Sequence, residues 1–269
     1  MKNLFALLIL ALILSACGPY QKALKENDVK VKYEMANSYY EEGIETGKKN
    51  SLRRAVRLLE QILPQFKGKP QGERLAFIYA DSYYRLKDYF DSGYQFERFF
   101  ESYSNSDKAE EAAFKGAKSY YYLSPRYSLD QTETDRALMK LEEYLTRFPG
   151  GAHIAEANKM ITELHEKLEK KEFKVAELYY KQDDYKAAVA SLNNFINENP
   201  GSKHREQAYY YKMDAEYLLA INSYRNVMKE RLEKSKTFSE DYLKYFPDGR
   251  YVKEAQDVIE DVEKRLKEF

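Results

Sequence analysis

The sequence has few of the residues on which many enzymes and disulfide-stabilised proteins depend. It contains one cysteine, no tryptophan, 11 glycines and 7 prolines among 269 residues. A single cysteine excludes an internal disulfide framework and a thiolate metal cage. The scarcity of glycine and proline leaves little material for the turns of an all-β protein or for a phosphate-binding loop. With 44 basic and 44 acidic residues the chain also lacks the basic excess of a nucleic-acid interface, so we expect no nucleic-acid partner. These absences favour an α-helical protein that binds rather than catalyses.

The first seventeen residues indicate export and lipid attachment. Lys2 is followed by an uninterrupted apolar run over residues 4–14. The run is shorter than the ~20 residues of a membrane-spanning helix and suits the apolar region of an export signal. It ends in Leu-Ser-Ala-Cys, which resembles the bacterial lipobox. That resemblance implies a signal peptide over residues 1–16 that is cleaved, and a covalent lipid on Cys17.

The residues after Cys17 predict the destination of the chain. Gly18 stands where an aspartate would retain a lipoprotein in the inner membrane, so resemblance to lipoprotein sorting favours the outer membrane of a Gram-negative bacterium. No acidic run marks export to the cell surface, which favours the periplasmic face. Residues 17–29 are predicted to be the lipidated N-terminus and a short polar tether. No other long apolar segment follows, so lipid should be the only membrane anchor.

A pattern of small, aromatic and proline residues recurs through the body of the chain. Pro149, Pro200 and Pro247 each follow an aromatic residue by five positions and a small residue by twelve, and each precedes an alanine by eight. The same spacing fits Ser104 and, more loosely, Lys67. We call these five positions, Lys67, Ser104, Pro149, Pro200 and Pro247, the anchors of the repeats. Upstream of every anchor stands a small residue followed three positions later by a tyrosine or leucine. These pairs are Ala36 and Tyr39, Ala80 and Tyr83, Ala117 and Tyr120, Ala176 and Tyr179, and Ala215 and Leu218.

This order of residues is that of the tetratricopeptide repeat, which pairs two antiparallel helices in about 34 residues. Small residues allow the two helices to approach closely, aromatic residues fill the gap to the next pair, and proline ends the second helix. The sequence therefore predicts an all-α solenoid of five tetratricopeptide-like helix pairs in a right-handed superhelix. Because one repeat cannot bury its apolar face alone, the stack must be continuous.

The fourth repeat departs from the ideal period and predicts the domain organisation. Residues 152–181 contain neither glycine nor proline, which predicts one very long or tightly jointed helix. We expect repeats 1–3 over residues 30–151, and the long helix, repeats 4 and 5 and a capping helix over residues 152–269. A further insertion, residues 124–135, lies between the two helices of repeat three.

The motifs of the common catalytic sites are missing from the sequence. His153, His165 and His204 are far apart, and no second histidine follows His165-Glu166 at the spacing of a zinc protease. There is no nucleophile elbow, phosphate loop or dinucleotide fingerprint. We expect no catalytic residue, no metal site and no cofactor other than the lipid on Cys17, and hence no enzyme.

Paired tyrosines recur near the end of the first helix in four of the five repeats. One member of each pair, such as Tyr39 or Tyr179, occupies the packing position of the repeat. Adjacent residues of a helix diverge by about 100°, so the second member points elsewhere. Tyr40, Tyr84 and Tyr121 are therefore candidate peptide-binding residues, because tyrosine gives a large contact area with a polar tip.

A lipobox followed by five such repeats resembles the BamD family of outer membrane assembly lipoproteins. The closest local similarity lies in residues 164–180, where a long helix leads to the aromatic-x-Val-Ala-Glu-x-Tyr-Tyr phrase that ends at Tyr180. The insertion at residues 124–135 resembles the third-repeat loop of Bacteroidetes-like members. The resemblance implies a part of the machinery that folds β-barrels into the outer membrane. Its C-terminal repeats would bind the POTRA domains of BamA, and its N-terminal groove would bind the aromatic-ended C-terminal segment of unfolded outer membrane β-barrel proteins.

Two other classes of function remain open at this point. A lipoprotein scaffold of another envelope system, such as Tol–Pal or cell-division coordination, would share the same repeats and anchor. A helical-solenoid lytic transglycosylase would need a catalytic glutamate in an added globular domain, and the chain has no residues left to form one. Co-purification with BamA or with peptidoglycan-linked partners distinguishes the two scaffolds, and muropeptide release would indicate the enzyme.

Overall fold

A computed structural model describes residues 18–269 of the chain. The predicted signal peptide and the predicted lipidation site Cys17 lie outside the described residues, so both stay predictions.

The described residues form twelve α-helices, one short 3-10 helix and no strand. The bounds are α1 Pro19–Lys25, α2 Val29–Thr46, α3 Lys49–Ile62, the 3-10 helix Leu63–Phe66, α4 Pro70–Leu86, α5 Tyr89–Ser102, α6 Ala109–Leu123, α7 Thr132–Arg147, α8 Ile154–Lys181, α9 Tyr185–Glu198, α10 Arg205–Ile221, α11 Arg225–Tyr245 and α12 Val252–Leu266. Consecutive helices pack against each other from α2 to α7 and from α9 to α12. Five helix pairs, from α2/α3 to α10/α11, are therefore closed by α12, which confirms the all-α, tetratricopeptide-like prediction.

The recurring positions of the sequence pattern form the interior of the helix pairs. Three positions are defined relative to each of the five anchors: a small residue twelve positions before it, an aromatic or apolar residue five before it, and a residue eight after it. The residues at all of these positions are at most 2% exposed. These residues are Ala55, Ile62, Leu75, Ser92, Phe99, Ala112, Ala137, Tyr144, Ala157, Ala188, Phe195, Ala208, Ser235, Tyr242 and Ala255. The pattern therefore reports packing positions, and the register of all five repeats follows from it.

The chain divides into two compact units. Unit 1 comprises residues up to Pro125 together with Asp130–Thr162, and unit 2 comprises Arg126–Leu129 and Glu163–Phe269. The boundary falls inside α8, whose 28 residues match the predicted long helix. At 1.5 Å per residue this helix is about 42 Å long.

The segment predicted as a polar tether contains a helix. Pro19 occupies the first turn of α1, where its missing N–H costs nothing. Tyr20 is buried, packs edge-to-face on Tyr39 with ring centroids 5.5 Å apart, and lies 5.2 Å from the guanidinium of Arg54. Part of residues 17–29 therefore belongs to the folded body, because Tyr20 has an aromatic partner on α2.

A hydroxyl and a glutamate join the end of one helix pair to the start of the next. In repeat 3, Tyr144 donates its hydroxyl hydrogen to Glu110 Oε1 at 3.0 Å and accepts the His153 N–H at 3.2 Å. The same Glu110 oxygen accepts the Ala152 N–H at 2.6 Å. A Cβ at Gly151 would lie 2.6 Å from that oxygen and 2.7 Å from the tyrosine hydroxyl. The tyrosine therefore requires glycine at the turn. We call this arrangement the turn clasp.

Repeat 5 builds the same turn clasp from different residues. Tyr242 donates to Glu206 at 3.1 Å and accepts the Tyr251 N–H at 3.0 Å. Glu206 accepts the Arg250 N–H at 2.6 Å, and a Cβ at Gly249 would lie 2.9 Å from its Oε1. Tyrosine and glycine therefore occur together for a steric reason.

Repeat 4 moves the hydroxyl from the helix to the turn. Phe195 takes the place of the clasp tyrosine, and Ser202 takes the place of the turn glycine. Ser202 donates to Glu169 at 2.5 Å and accepts the His204 N–H at 2.9 Å. Repeat 2 does the same, with Phe99 in the core, a Ser106–Glu73 hydrogen bond of 2.6 Å and a Lys108 N–H to Ser106 bond of 2.9 Å. Each turn of repeats 2 to 5 thus has one hydroxyl, supplied from either of two positions.

Candidate binding surfaces

The structure brings two of the three candidate tyrosines into one cluster in unit 1. Tyr84 contacts Tyr89 with ring centroids 6.0 Å apart, Tyr89 stacks on Tyr122 at 4.5 Å, and Tyr122 contacts Tyr121 at 5.6 Å. Burial raises the pKa of Tyr84 to about 12, so its hydroxyl keeps its proton at neutral pH. Lys118 lies 6.0 Å from the Tyr122 ring. Tyr84 and Tyr121 are half-buried members of this cluster, and their role in peptide binding stays a prediction.

The position of Tyr40 differs from the expectation that the second tyrosine of a pair faces a ligand. It is 6% exposed, and its hydroxyl donates to Asp81 Oδ2 at 2.7 Å. Burial raises the pKa of Tyr40, and the ionised Asp81 raises it further. In repeat 1 the second tyrosine is thus the core residue, because a buried carboxylate on α4 provides its partner.

Asp81 is the centre of a buried ionic network in unit 1. Its carboxylate is 1% exposed and accepts hydrogen bonds from Lys115 Nζ and Arg85 Nε, each at 2.5 Å. Burial alone would raise the pKa of Asp81, but Lys115, Arg85 and Tyr40 hold it below its ordinary value. Together with Tyr40 the network connects the first helices of three successive repeats, α2, α4 and α6.

Repeat 4 shows the same exchange within its tyrosine pair. Tyr179, predicted as the packing residue, is 37% exposed, whereas Tyr180 donates to Asp214 at 2.5 Å. Burial raises the pKa of Tyr180, and Asp214 adds to that rise. The packing member of a pair therefore depends on where a carboxylate lies on the neighbouring helix.

A groove of about 390 Å³ lies between the first and second helix pairs of unit 1. We call it the first groove. Its apolar wall comes from the 3-10 helix, α4 and α5 and includes Leu63, Phe66, Tyr79, Phe99 and Tyr103. The wall is ordered by ring contacts, with Phe99 and Tyr103 centroids 5.3 Å apart. The groove therefore offers a preformed aromatic surface.

Gly72 lets the 3-10 helix approach α4 and close one wall of the first groove. A Cβ at this position would overlap the carbonyl oxygen of Phe66 and lie 2.9 Å from the Tyr103 hydroxyl. The backbones of the two elements can be this close only because residue 72 has no side chain.

The acidic and basic groups of the first groove differ in whether they already have a partner. Tyr83 donates to Glu60 at 3.0 Å, and Tyr79 donates to the same carboxylate at 3.4 Å, so this acidic group is already engaged. Lys67 and Arg98 also line the groove, and neither forms an ion pair with a carboxylate among residues 18–269. An anionic group on a ligand would find two unpaired cations beside the aromatic wall.

Unit 2 exposes apolar side chains along one face of α8. Val175, Leu178 and Tyr179 are 44%, 52% and 37% exposed. Leu178 and Tyr179 follow Val175 by three and four residues, which places both beside it on one face of the helix. Leu129 is 47% exposed. It is held beside this face by a hydrogen bond of 2.7 Å from Lys171 Nζ, on α8, to its carbonyl oxygen. We call these four apolar residues the α8 patch. Clusters of exposed apolar side chains are typical of protein–protein interaction sites.

Two histidines occupy equivalent structural positions at the helix-pair turns. His153 stacks on Phe114 at 4.1 Å, and His204 stacks on Phe173 at 4.6 Å. Burial lowers the pKa of His204, which favours the neutral imidazole. Both have a packing role, whereas His165 is exposed on α8. The expectation of no catalysis and no cofactor stays a prediction.

The sequence of this chain is similar to that of a known protein family. A family model described as YfiO, outer membrane lipoprotein, matches residues 33–189 and 177–268, which is most of the chain. The chain belongs to this family. None of the helices between residues 18 and 269 is long and apolar enough to cross a membrane.

Three relatives are named as outer membrane protein assembly factor BamD, the first of them as a putative one. The chain is 27% identical to one from Aquifex aeolicus, over 77% of its own length and 67% of the relative's. It is 23% identical to one from Rickettsia prowazekii, over 90% of its own length and 95% of the relative's. A third, from Caulobacter vibrioides, is 20% identical over 68% of this chain and 60% of the relative. These similarities confirm the resemblance to BamD proteins.

A solved structure of a kinesin-light-chain-like protein with tetratricopeptide-like repeats also matches. It is 13% identical, covers 80% of this chain and 96% of its own length, and has a TM-score of 0.32. The fold of this chain is therefore assigned from its own helix order.

The repeat pattern of the sequence does not identify the residues of the first groove. Their one signal was the departure from the repeat pattern at Lys67, where the other repeats have proline or serine. The 3-10 helix ends there, and the altered turn opens the space between α3, α4 and α5.

Proposed function

We propose that this protein is an outer membrane scaffold for β-barrel assembly. The lipid on Cys17 holds it on the periplasmic face of the outer membrane, unit 1 binds unfolded outer membrane β-barrel proteins, and unit 2 binds the POTRA domains of BamA. Family membership and the BamD relatives support the general role. The first groove is the observation that carries the substrate-binding part.

The first groove fits the end of an extended chain with a terminal aromatic residue. The aromatic wall of Phe66, Tyr79 and Tyr103 can bury the terminal ring, and burying one such side chain is worth ~2–3 kcal/mol. Lys67 and Arg98 can pair with the terminal carboxylate, since no carboxylate of residues 18–269 neutralises them. No covalent step is required, because capture and release depend on this burial and pairing alone.

A peptide experiment tests the groove. A peptide of about ten residues that ends in phenylalanine should bind the protein, and Arg98→Gln should weaken binding about tenfold because a charge-assisted hydrogen bond is lost. Amidation of the peptide terminus should cause a similar loss. In the Arg98→Gln protein, amidation should cost less than it costs the unaltered protein, since only the pairing with Lys67 is left to lose. Isothermal titration calorimetry measures all four combinations.

The matched control is Arg57→Gln on the exposed side of α3, outside the groove. It should leave peptide affinity unchanged. Equal binding of the free-acid and amidated peptides by the unaltered protein would refute the carboxylate pairing.

The α8 patch is the proposed contact with the POTRA domains. Its four apolar side chains lie in unit 2, where the C-terminal repeats begin. An interface of this kind gains its energy from apolar burial at its centre. Lipid attachment would add to it by confining both proteins to the same membrane surface.

A crosslinked pull-down from outer membranes tests this partner. Leu178→Glu should reduce recovery of BamA about tenfold or more, because a charge would be buried in an apolar contact. Met139→Glu is the matched control, since Met139 is 53% exposed, nearly as much as Leu178, but lies on α7 in unit 1. Recovery of peptidoglycan-linked partners in place of BamA would favour the Tol–Pal or cell-division alternative.

A further inference from the structure

A second cleft, of about 440 Å³, opens at the N-terminal end of unit 1. It is lined by Leu24 of α1 and Asn27 just after it, by Val29 and Lys32 of α2, and by Gln61 of α3 and Gln65 of the 3-10 helix. No residue of this lining is acidic. The donors facing the cleft are one ammonium group and three side-chain amides.

Lys32 stands out because it is buried without a counter-charge. Its side chain is 6% exposed, and its Nζ donates to the neutral amide oxygen of Gln61 at 2.5 Å. No ion pair joins it to a carboxylate of the described residues. Buried lysines are seldom found unpaired, because removing an ammonium group from water is costly. Two of its three N–H donors remain available for a ligand.

The acidic residues near Lys32 in sequence do not neutralise it. Glu34 is exposed and does not line the cleft. Asp28 caps α2 by accepting the N–H groups of Lys30 and Val31 at 2.9 and 3.1 Å. Glu26 pairs with Lys22 at 3.7 Å. Neither carboxylate lines the cleft.

We propose that this cleft is a binding site for a phosphate group. Lys32 supplies the positive charge at its floor, and the amide groups of Asn27, Gln61 and Gln65 supply further donors at its rim. Phosphate suits this set better than a carboxylate, since its oxygens point in several directions and can accept from donors on different helices. The group can come from inorganic phosphate or from the headgroup of an anionic phospholipid. The site does not depend on the proposed role in barrel assembly.

The test uses the full chain carrying Cys17→Ala, so that no lipid is attached. Inorganic phosphate should raise the melting temperature of this protein, with a dissociation constant measurable by titration calorimetry. Lys32→Gln should weaken phosphate binding about tenfold, because one hydrogen bond to a charged group is lost. Lys30→Gln is the matched control, since Lys30 is an exposed lysine on the same helix that does not line the cleft. It should leave binding unchanged.

A second variant covers the case in which Lys32→Gln alters the fold. Gln65→Ala removes an exposed rim amide, keeps Lys32 and should weaken phosphate binding about threefold. Circular dichroism verifies that each variant is folded.

A lipid arm identifies the source of the phosphate. Soluble dihexanoyl phosphatidylglycerol is titrated beside inorganic phosphate. Tighter binding of the lipid, dependent on Lys32, assigns the site to a headgroup, and tighter binding of inorganic phosphate assigns it to the free ion. The proposal is wrong if neither probe binds, or if the Lys32 and Lys30 variants lose affinity equally.

Discussion

Replacing Asp81 with alanine should lower the free energy of unfolding of unit 1 by about 3 kcal/mol, the usual cost of removing one partner from a buried ionic network. The carboxylate is 1% exposed and has hydrogen bonds from Lys115, Arg85 and Tyr40. Its loss leaves the half-buried Lys115 with Glu111 alone and the Tyr40 hydroxyl without its acceptor. Urea denaturation followed by circular dichroism measures the change.

The control for this prediction is an ion pair at the surface. Glu41 pairs with Arg74 at 2.8 Å, but both side chains are about half exposed. Glu41→Ala should therefore change stability by about 0.5 kcal/mol or less, since water screens the pair. Similar effects of the two substitutions would show that the Asp81 network is not a buried element.

The Asp81 effect should also depend on pH with a defined sign. Because the network lowers the pKa of Asp81, its contribution to stability is complete above the unfolded-state pKa near 4. It is lost as the pH falls through the lower, folded-state pKa. The difference between the unaltered protein and Asp81→Ala should be constant from about pH 5 to pH 8 and decrease below about pH 4.

Tyr242→Phe should destabilise unit 2 by about 2 kcal/mol, and adding Gly249→Ser should restore most of the loss. The single change leaves the Tyr251 N–H without an acceptor and removes one donor from Glu206, and unsatisfied groups of this kind cost ~1–3 kcal/mol. A serine at residue 249 can supply the hydroxyl, as Ser202 does in repeat 4. Denaturant titrations of the two single variants and the double variant give the coupling energy.

Gly249→Ser alone provides the decisive comparison. In the presence of Tyr242 its Cβ would overlap the tyrosine hydroxyl, so this variant should be less stable than the unaltered protein. The double variant should be more stable than either single variant. Additive losses would show that the tyrosine–glycine and phenylalanine–serine combinations are not alternatives for one structural role.

The repeat register could be predicted from the sequence because it depends on local spacing. A small residue, an aromatic residue seven positions later and a helix-ending residue five after that define one helix and its buried face. The same argument explains why α8 could be predicted, since residues 152–181 contain no helix breaker. Helix α1 could not, because seven residues have no independent helical stability and its buried side chains, such as Tyr20, are held by residues of other helices, including Tyr39 and Arg54.

The candidate site was less accessible to prediction than the fold. Tyr84 and Tyr121 do lie in one cluster, but Tyr40 is in the core and Tyr179 is exposed. Which tyrosine of a pair is buried depends on a carboxylate 34 or 41 residues away in sequence, as for Tyr180 and Tyr40. Such partners cannot be found from the helical period of one segment.

The number of helix pairs, their register and the residues that fill them can be predicted from the amino-acid sequence, because they follow from helical periodicity over fewer than twenty residues. The first groove, the Asp81 network, the turn clasps and the contact of Lys32 with Gln61 arise only when the helices pack. Each of these joins atoms on helices that are far apart in sequence. Their formation depends on the distance between packed helices, which no local pattern of residues records.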